Sequence, residues 1–462
     1  MHFAPRRKIL LLVVLAWTAA GTAASCSAGE PPPSSPPPPP VAFVQVPNPV
    51  GEDNPAYPVK ALPVPEAGKP FQDAYFATSL VRATGAEGVR NEYSRFDPFN
   101  KDGTMVILVQ PASGDRRIYR TASLPYDAKE NLVRDLDIEE PRWDPEDPNL
   151  IWGTRDFLIV SLNAKTGDAK TVKDFAKDPK IEPILKAEPD LYRITMKDEG
   201  ETSRDKRYWA LFIQGKDDDY RPRYILVWDR QDDRILGLLK LAKAESDIDW
   251  VGMSPLGKWV IIGAMDSNAG KVVGLTMANR ELTEFHRLDF STAHADVGLD
   301  AAGNEVVVMQ NVRTDHVDLI PIDIRTKPIL EAGGSYEGTN RTPLVRLFYN
   351  SDSPKGFNCG IHISCNAAGY AVVSTYIDPK AKEQNWLDRS IILVRLDPKT
   401  PKAWYLAKVH GICGAYWEET HATISADGSR VVWASNWGQD VGKEKSFLIQ
   451  LSMPKGWQER LK

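Results

Sequence analysis

Glu418, Glu419 and His421 stand within four consecutive residues, and imidazole beside carboxylate is a pairing that moves protons near neutral pH. They head the stretch EETHATISADGSRVVWASNWG, which runs on through the dipeptide Asp427-Gly428. Chemically similar residues recur at a fixed distance from the turn of comparable stretches. Counting back seven residues gives His421 before Gly428, His362 before Gly369 and Asp296 before Gly303. His294 lies two residues before Asp296, which on a strand is the same face. The same count gives Trp250 before Gly257 and Arg142 before Asn149. Each residue has a structural reading as well. A channel histidine can be a hydrogen-bonded filler, Glu418 a rim ion-pair partner, Arg142 the mate of a neighbouring acid and Asp296 a turn cap.

The elements that must hold these residues are strands. Around Gly428, alternating apolar residues (Ala422, Ile424) lead into a turn, and Arg430–Ser435 leaves it rich in β-branched and aromatic residues. Seven stretches share this head, turn and tail, with turns at Gly103, Asn149, Lys206, Gly257, Gly303, Gly369 and Gly428. The third is the weakest, because it lacks a turn glycine. Intervals of 46 to 66 residues are long enough for a four-stranded sheet with its loops. Strand-rich repetition at this period predicts an all-β fold, a single seven-bladed β-propeller. Its innermost strands line a channel, so the residues seven before each turn converge on the channel mouth. Residues 170–200, charged and partly helical, and Gly333 to Asn358 read as insertions. His286, His316 and His410 fall outside the register and read as structural.

The composition allows a large core: 462 residues, 42% hydrophobic, with a formal net charge of −5. No basic stripe is present, which argues against a nucleic-acid partner. Residues 1–25 read as a signal peptide, with Arg6, Arg7 and Lys8 before the apolar run Ile9 to Trp17 and small residues after it. Ala23-Ala24-Ser25-Cys26 resembles a lipobox, which would make Cys26 the lipidated first residue; ordinary cleavage nearby is the other reading. Residues 26–70 read as a proline-rich linker containing PPPSSPPPPP, and 71–462 as the propeller. The expected product is exported and monomeric, touching a cell or outer membrane through a lipid anchor only.

HADVGLDAAGNEVVV, HISCNAAGYAVVSTY and ETHATISADGSRVVWASNWG resemble the seven-bladed propellers related to oligogalacturonate lyases, best over the C-terminal third. The resemblance implies His294 as base, and His362, His421 and Glu418 as ligands of a divalent metal such as manganese. Two positions depart from the family pattern: Glu418 stands where glutamine would be, and Thr423 where a last histidine would be. The implied chemistry is β-elimination from a uronate in an acidic oligosaccharide or cell-surface glycan. Neutralising the carboxylate acidifies the neighbouring proton, which a neutral histidine can remove. Arg142 and Arg95 are the expected carboxylate clamp, Tyr416 and Trp417 a stacking surface for the sugar, and Asp296 a further substrate contact. The rival function is a non-catalytic scaffold that binds protein or glycan at the cell surface. Cys359, Cys365 and Cys413 are odd in number for an exported domain, leaving Cys359–Cys413 and Cys359–Cys365 both open as bridges.

Overall fold

In a computed structural model that describes residues 43–216, 220–349, 356 and 359–461, the described residues form seven antiparallel sheets. The segment read as a signal peptide, Cys26 and the polyproline run lie outside the described residues. Each expected repeat supplies one blade. The turn glycines take the positive φ that the repeats require, from 67° at Gly103 to 83° at Gly303. Lys206 takes it too, at 58°, so the third repeat makes its turn without a glycine.

Blade two runs Glu139–Trp143, Leu150–Arg155, Leu158–Asn163 and Ala169–Asp174 from the channel outward. Blades three, four and five follow the same plan, beginning at Leu191–Thr195, Ile248–Met253 and Ala295–Leu299. The outer strand of blade five is Thr342–Arg346, so part of the segment read as an insertion completes a sheet. Blade six begins at Cys359–Ser364. Blade seven combines both ends of the chain: Thr423–Ile424, Arg430–Ser435 and Phe447–Ser452 are followed outward by Ser79–Arg82 and Pro70–Gln72.

Alternation explains why these strands are buried on both faces. On Tyr208–Gly215, Trp209, Leu211 and Ile213 pack toward blade two, while Ala210 and Phe212 pack toward blade four. Every pair of adjacent blades shares such a cluster among the described residues. The last junction joins Val432 and Leu448 of blade seven to Val106 and Leu108 of blade one. Seven blades and seven junctions close the ring.

Two sequence expectations change. Residues from 43 onward belong to the folded body, rather than those from 71. Val44–Val46 adds a fifth strand to blade six, and the hydroxyls of Tyr405 and Tyr75 donate to the carbonyls of Pro55 and Pro58. Proline cannot donate to a sheet, but its carbonyl still accepts, so this segment can lie along the blades. Cys359, Cys365 and Cys413 are all buried free thiols, so neither bridge forms. Cys359 sits beside Asp388 and Lys408, Cys365 beside Asp296 and Arg204, and Cys413 near Glu418 and Glu419.

Candidate metal centre

Blade one positions the site by failing to complete its inner strand. The segment bridges its neighbour only at Arg90 with Val109 and at Phe99 with Val106. Between them the backbone leaves the ladder, and Pro98 offers its carbonyl to Ile107 but has no N–H to return. The detour carries Arg90, Asn91, Tyr93 and Arg95 against residues of other blades.

Three imidazoles meet there. The His362 ring lies 4.2 Å from that of His421 and 4.6 Å from that of His294, centre to centre. Tyr93 packs edge-on against His362 and His421, and its hydroxyl is 3.5 Å from His294 Nδ1. Glu419 joins them, with Oε2 2.6 Å from His362 Nε2 and 3.3 Å from His421 Nε2. Burial is the main cause holding His362 and His421 well below the usual imidazole pKa, and it lowers His294 as well. All three are therefore neutral at physiological pH.

The carboxylate of the cluster is Glu419, not the expected Glu418. Glu418 is buried, and its two oxygens accept from the backbone amides of Gly414, Gly442, Lys443 and Glu444. It clasps two loops together. Its neighbour Glu419 follows a short 3₁₀ turn, Tyr416–Glu418, and turns to the histidines. His421 itself has φ of +42°, a strained value for a side chain of this size. Asn91 Nδ2 donates to its carbonyl at 2.8 Å, and Arg90 Nη2 lies 2.6 Å from its Nδ1. Arg90 also donates to the carbonyls of Trp417 and Glu419. Tyr376 stacks on His362 at 5.5 Å, opposite Gly360 on the next strand. A Cβ at Gly360 would sit 1.9 Å from that ring, so only glycine admits it.

The other expected site residues are distributed along the channel. Tyr416 is 44% exposed, 5.2 Å from the His421 ring and 5.2 Å from Trp417, which keeps both aromatics at the mouth. Arg95 lies one step deeper, its guanidinium 4.5 Å from the Trp250 ring and 5.7 Å from the Tyr93 ring. Arg142 is not brought to the imidazoles. It lies flat on Phe96, 3.2 Å from the ring centre, between Glu92 and Glu201. Asp296 is buried, with its oxygens taken by the amides of Val297 and Cys365; burial raises its pKa to about 7. Thr423, where the family pattern has a histidine, donates to the Phe96 carbonyl. His286, His316 and His410 serve elsewhere: the first two bond the carbonyls of Thr326 and Thr314, and the third stacks on Trp437.

Sequence reasoning singled out Glu419 but gave the ligand role to Glu418, and it missed Arg90, Tyr93 and Tyr376 as site residues. Period-two alternation could have chosen Glu419, two residues before His421, and found Tyr93, two before Arg95. Arg90 and Tyr376 had no local signal, because other blades deliver them.

No family model and no curated protein matches this chain. Solved structures do match. An oligogalacturonate lyase from Vibrio parahaemolyticus aligns with a TM-score of 0.54 at 9% identity, over 84% of this chain and 97% of the other. An oligogalacturonate lyase in complex with manganese aligns with a TM-score of 0.52 at 10% identity, over 85% of this chain and 97% of the other. The fold is that of these lyases. At this identity the likeness speaks for the fold alone, and the expected seven-bladed architecture stands.

His362, Glu419 and His421 form a donor set that suits a divalent cation. Their ligating atoms all lie within 4.8 Å of one another, and both imidazoles are neutral. Two imidazoles with one carboxylate favour manganese, iron or zinc over calcium. His362 Nδ1 is buried without a partner. One contact opposes loading at His421: a ring that binds through Nε2 usually donates from Nδ1, yet Arg90 can only donate to His421 Nδ1.

Proposed function

We propose that this protein is an exported, surface-anchored propeller that cleaves uronate-containing glycans by metal-assisted β-elimination. The observation that supports it most is the convergence of His362, His421 and Glu419 on one point, with His294 alongside. The fold shared with a lyase known in complex with manganese supports the same reading.

In this reading His362, His421 and Glu419 hold the ion, which when bound neutralises the uronate carboxylate and so acidifies the proton beside it. His294, kept neutral by burial, takes that proton through a ring nitrogen. The Tyr93 phenol, which burial keeps protonated, stands against Nδ1 and fixes the ring's direction. The electron pair forms the carbon–carbon double bond as the glycosidic oxygen leaves and is protonated from solvent beside exposed Tyr416. Tyr416 and Trp417 form the stacking wall for the sugar, and Arg95 is placed to meet a second negative group deeper in the channel. The ligand is an acidic oligosaccharide or cell-surface glycan, met by a monomer carried to the membrane through Cys26.

Metal analysis of protein purified without affinity metals, paired with the ultraviolet absorbance of unsaturated uronide product, tests this reading. About one manganese, iron or zinc per chain and a rise in absorbance are expected. Metal-free protein that gains neither ion nor activity on reconstitution would overturn it. The scaffold reading would then hold. It draws support from Thr423, whose hydroxyl is committed to Phe96, and from Arg90, which opposes an ion.

A further inference from the structure

Beneath the imidazoles, where the inner strands turn outward, the channel widens into a chamber of about 350 Å³. Arg95, Arg142, Arg204 and Lys206 line it. Arg204 comes from blade three and donates across the channel to the carbonyls of Cys365 and Asn366 on blade six. Its guanidinium meets no carboxylate in these bonds. Arg142 is 4% exposed, and its Nη1 bonds only the carbonyl of Pro141. Its Nε and Nη2 are buried and have no hydrogen-bond partner, although Glu201 lies 3.1 Å from Nε. Those two atoms are the side of a guanidinium that grips a carboxylate with two parallel bonds. Phe96 beneath the plane fixes the direction of that grip. Glu92 and Glu201 offset the charge of Arg142, but guanidinium N–H groups buried without hydrogen bonds are still costly, so a site of this kind is complete only with a well-aligned acceptor.

We propose that this chamber is a second ligand site, separate from the imidazole cluster, which takes a small organic carboxylate of sugar-acid size with Arg142 as its fork. Arg204 and Lys206 supply positive charge that offsets Asp97, Asp144 and Asp296 in the same wall, and Glu201 competes with the ligand for Arg142 and Lys206. The volume suits a molecule of sugar-acid dimensions. The site stands whether or not the imidazole cluster holds an ion.

Titration of D-gluconate into the full chain, stripped of metal by chelator and followed by calorimetry, tests this. Gluconate has no glycosidic bond to cleave. One saturable site is expected, weakened at least about tenfold in Arg142→Gln and in Arg204→Gln. Glu201→Gln should tighten it several-fold by removing the competing acid, a gain that a merely structural role would not produce. His362→Ala should leave it unchanged. Should Arg142→Gln fail to fold, Lys206→Met and Glu201→Gln still decide the matter, in opposite directions. Absence of saturable binding overturns the proposal. So does binding indifferent to Arg204, Lys206 and Glu201, or binding lost with His362.

Discussion

The two levels of the channel solve the same problem in different ways. At the mouth, His362 and His421 are fully buried, and three rings pack within 4.6 Å of their neighbours. Imidazole tolerates this because it can give up its proton, and burial holds all three below their ordinary pKa. In the chamber beneath, the cations are chiefly guanidinium ions, which cannot give up their proton, set among carboxylates such as Glu201, Asp97 and Asp296. Each guanidinium needs a compensating partner: Arg95 leans on Trp250 and Glu199, and Arg142 on Phe96 and Glu201. The mouth thus collects neutral lone pairs suited to a cation, and the chamber mixes cations with carboxylates but leaves one guanidinium fork, on Arg142, open to an anion. Equivalent register positions on blade two (Arg142) and on blades six and seven (His362, His421) carry opposite binding chemistry, decided by whether the residue there can lose its charge.

The strongest way to separate the two levels is to remove an imidazole. His362→Ala or His421→Ala should lower divalent-ion affinity by more than about 100-fold, read by metal analysis after dialysis. Gluconate binding in the chamber should not change. If the ion survives both substitutions, the comparison loses its upper half.

Among the described residues Arg90 is the guanidinium within hydrogen-bond distance of a cluster imidazole, and its removal should be felt mainly in the fold. Arg90→Ala leaves the carbonyls of Trp417 and Glu419 without their donor, and His421 Nδ1 with them. A loss of about 2–4 kcal/mol in denaturant unfolding is expected. An unchanged midpoint would show that the loop carrying Glu419 is held by Glu418 alone.

Gly360→Val tests how the stacked Tyr376 sets His362. The new side chain meets the Tyr376 ring, so the ring must leave or the strands must part, at a cost of about 1–3 kcal/mol. Ion affinity should fall with stability. Were Tyr376→Leu to restore stability to the double variant, the clash would be confirmed as the cause.

The smallest effect is in pH. Burial is the main cause raising both Asp97 and Asp296, in the chamber wall, to about 7. Asp296 faces Arg95, Arg204, Glu201 and Cys365, and Asp97 faces Asp427 and Arg430. Between pH 8 and pH 6 the two carboxylates take up protons, so negative charge leaves the wall and anion affinity rises. Gluconate affinity should increase by a factor of about 3–10 on that descent, measured at constant ionic strength. A flat profile would mean that neither acid faces the ligand.

The sequence by itself determined the repeat, and through it much of the geometry. Seven heads and turns correspond to seven blades, and a count of seven residues back from Gly369 and Gly428 placed two imidazoles in contact. That works because strand periodicity and turn chemistry are local and recur in every blade. The sequence also held His294 beside them, two residues before Asp296. Only the tertiary structure decided which carboxylate joins. Glu418 and Glu419 are adjacent and chemically alike, and the choice follows from four backbone amides, three of them from residues 442–444, that capture Glu418. It likewise decided that Arg90 and Tyr93, more than 300 and 200 residues from their imidazole partners, enter the site, and that Arg142 belongs to the chamber. Ring closure brings blade one against blade seven, and no local pattern of residue types encodes which side chains a closing ring sets face to face.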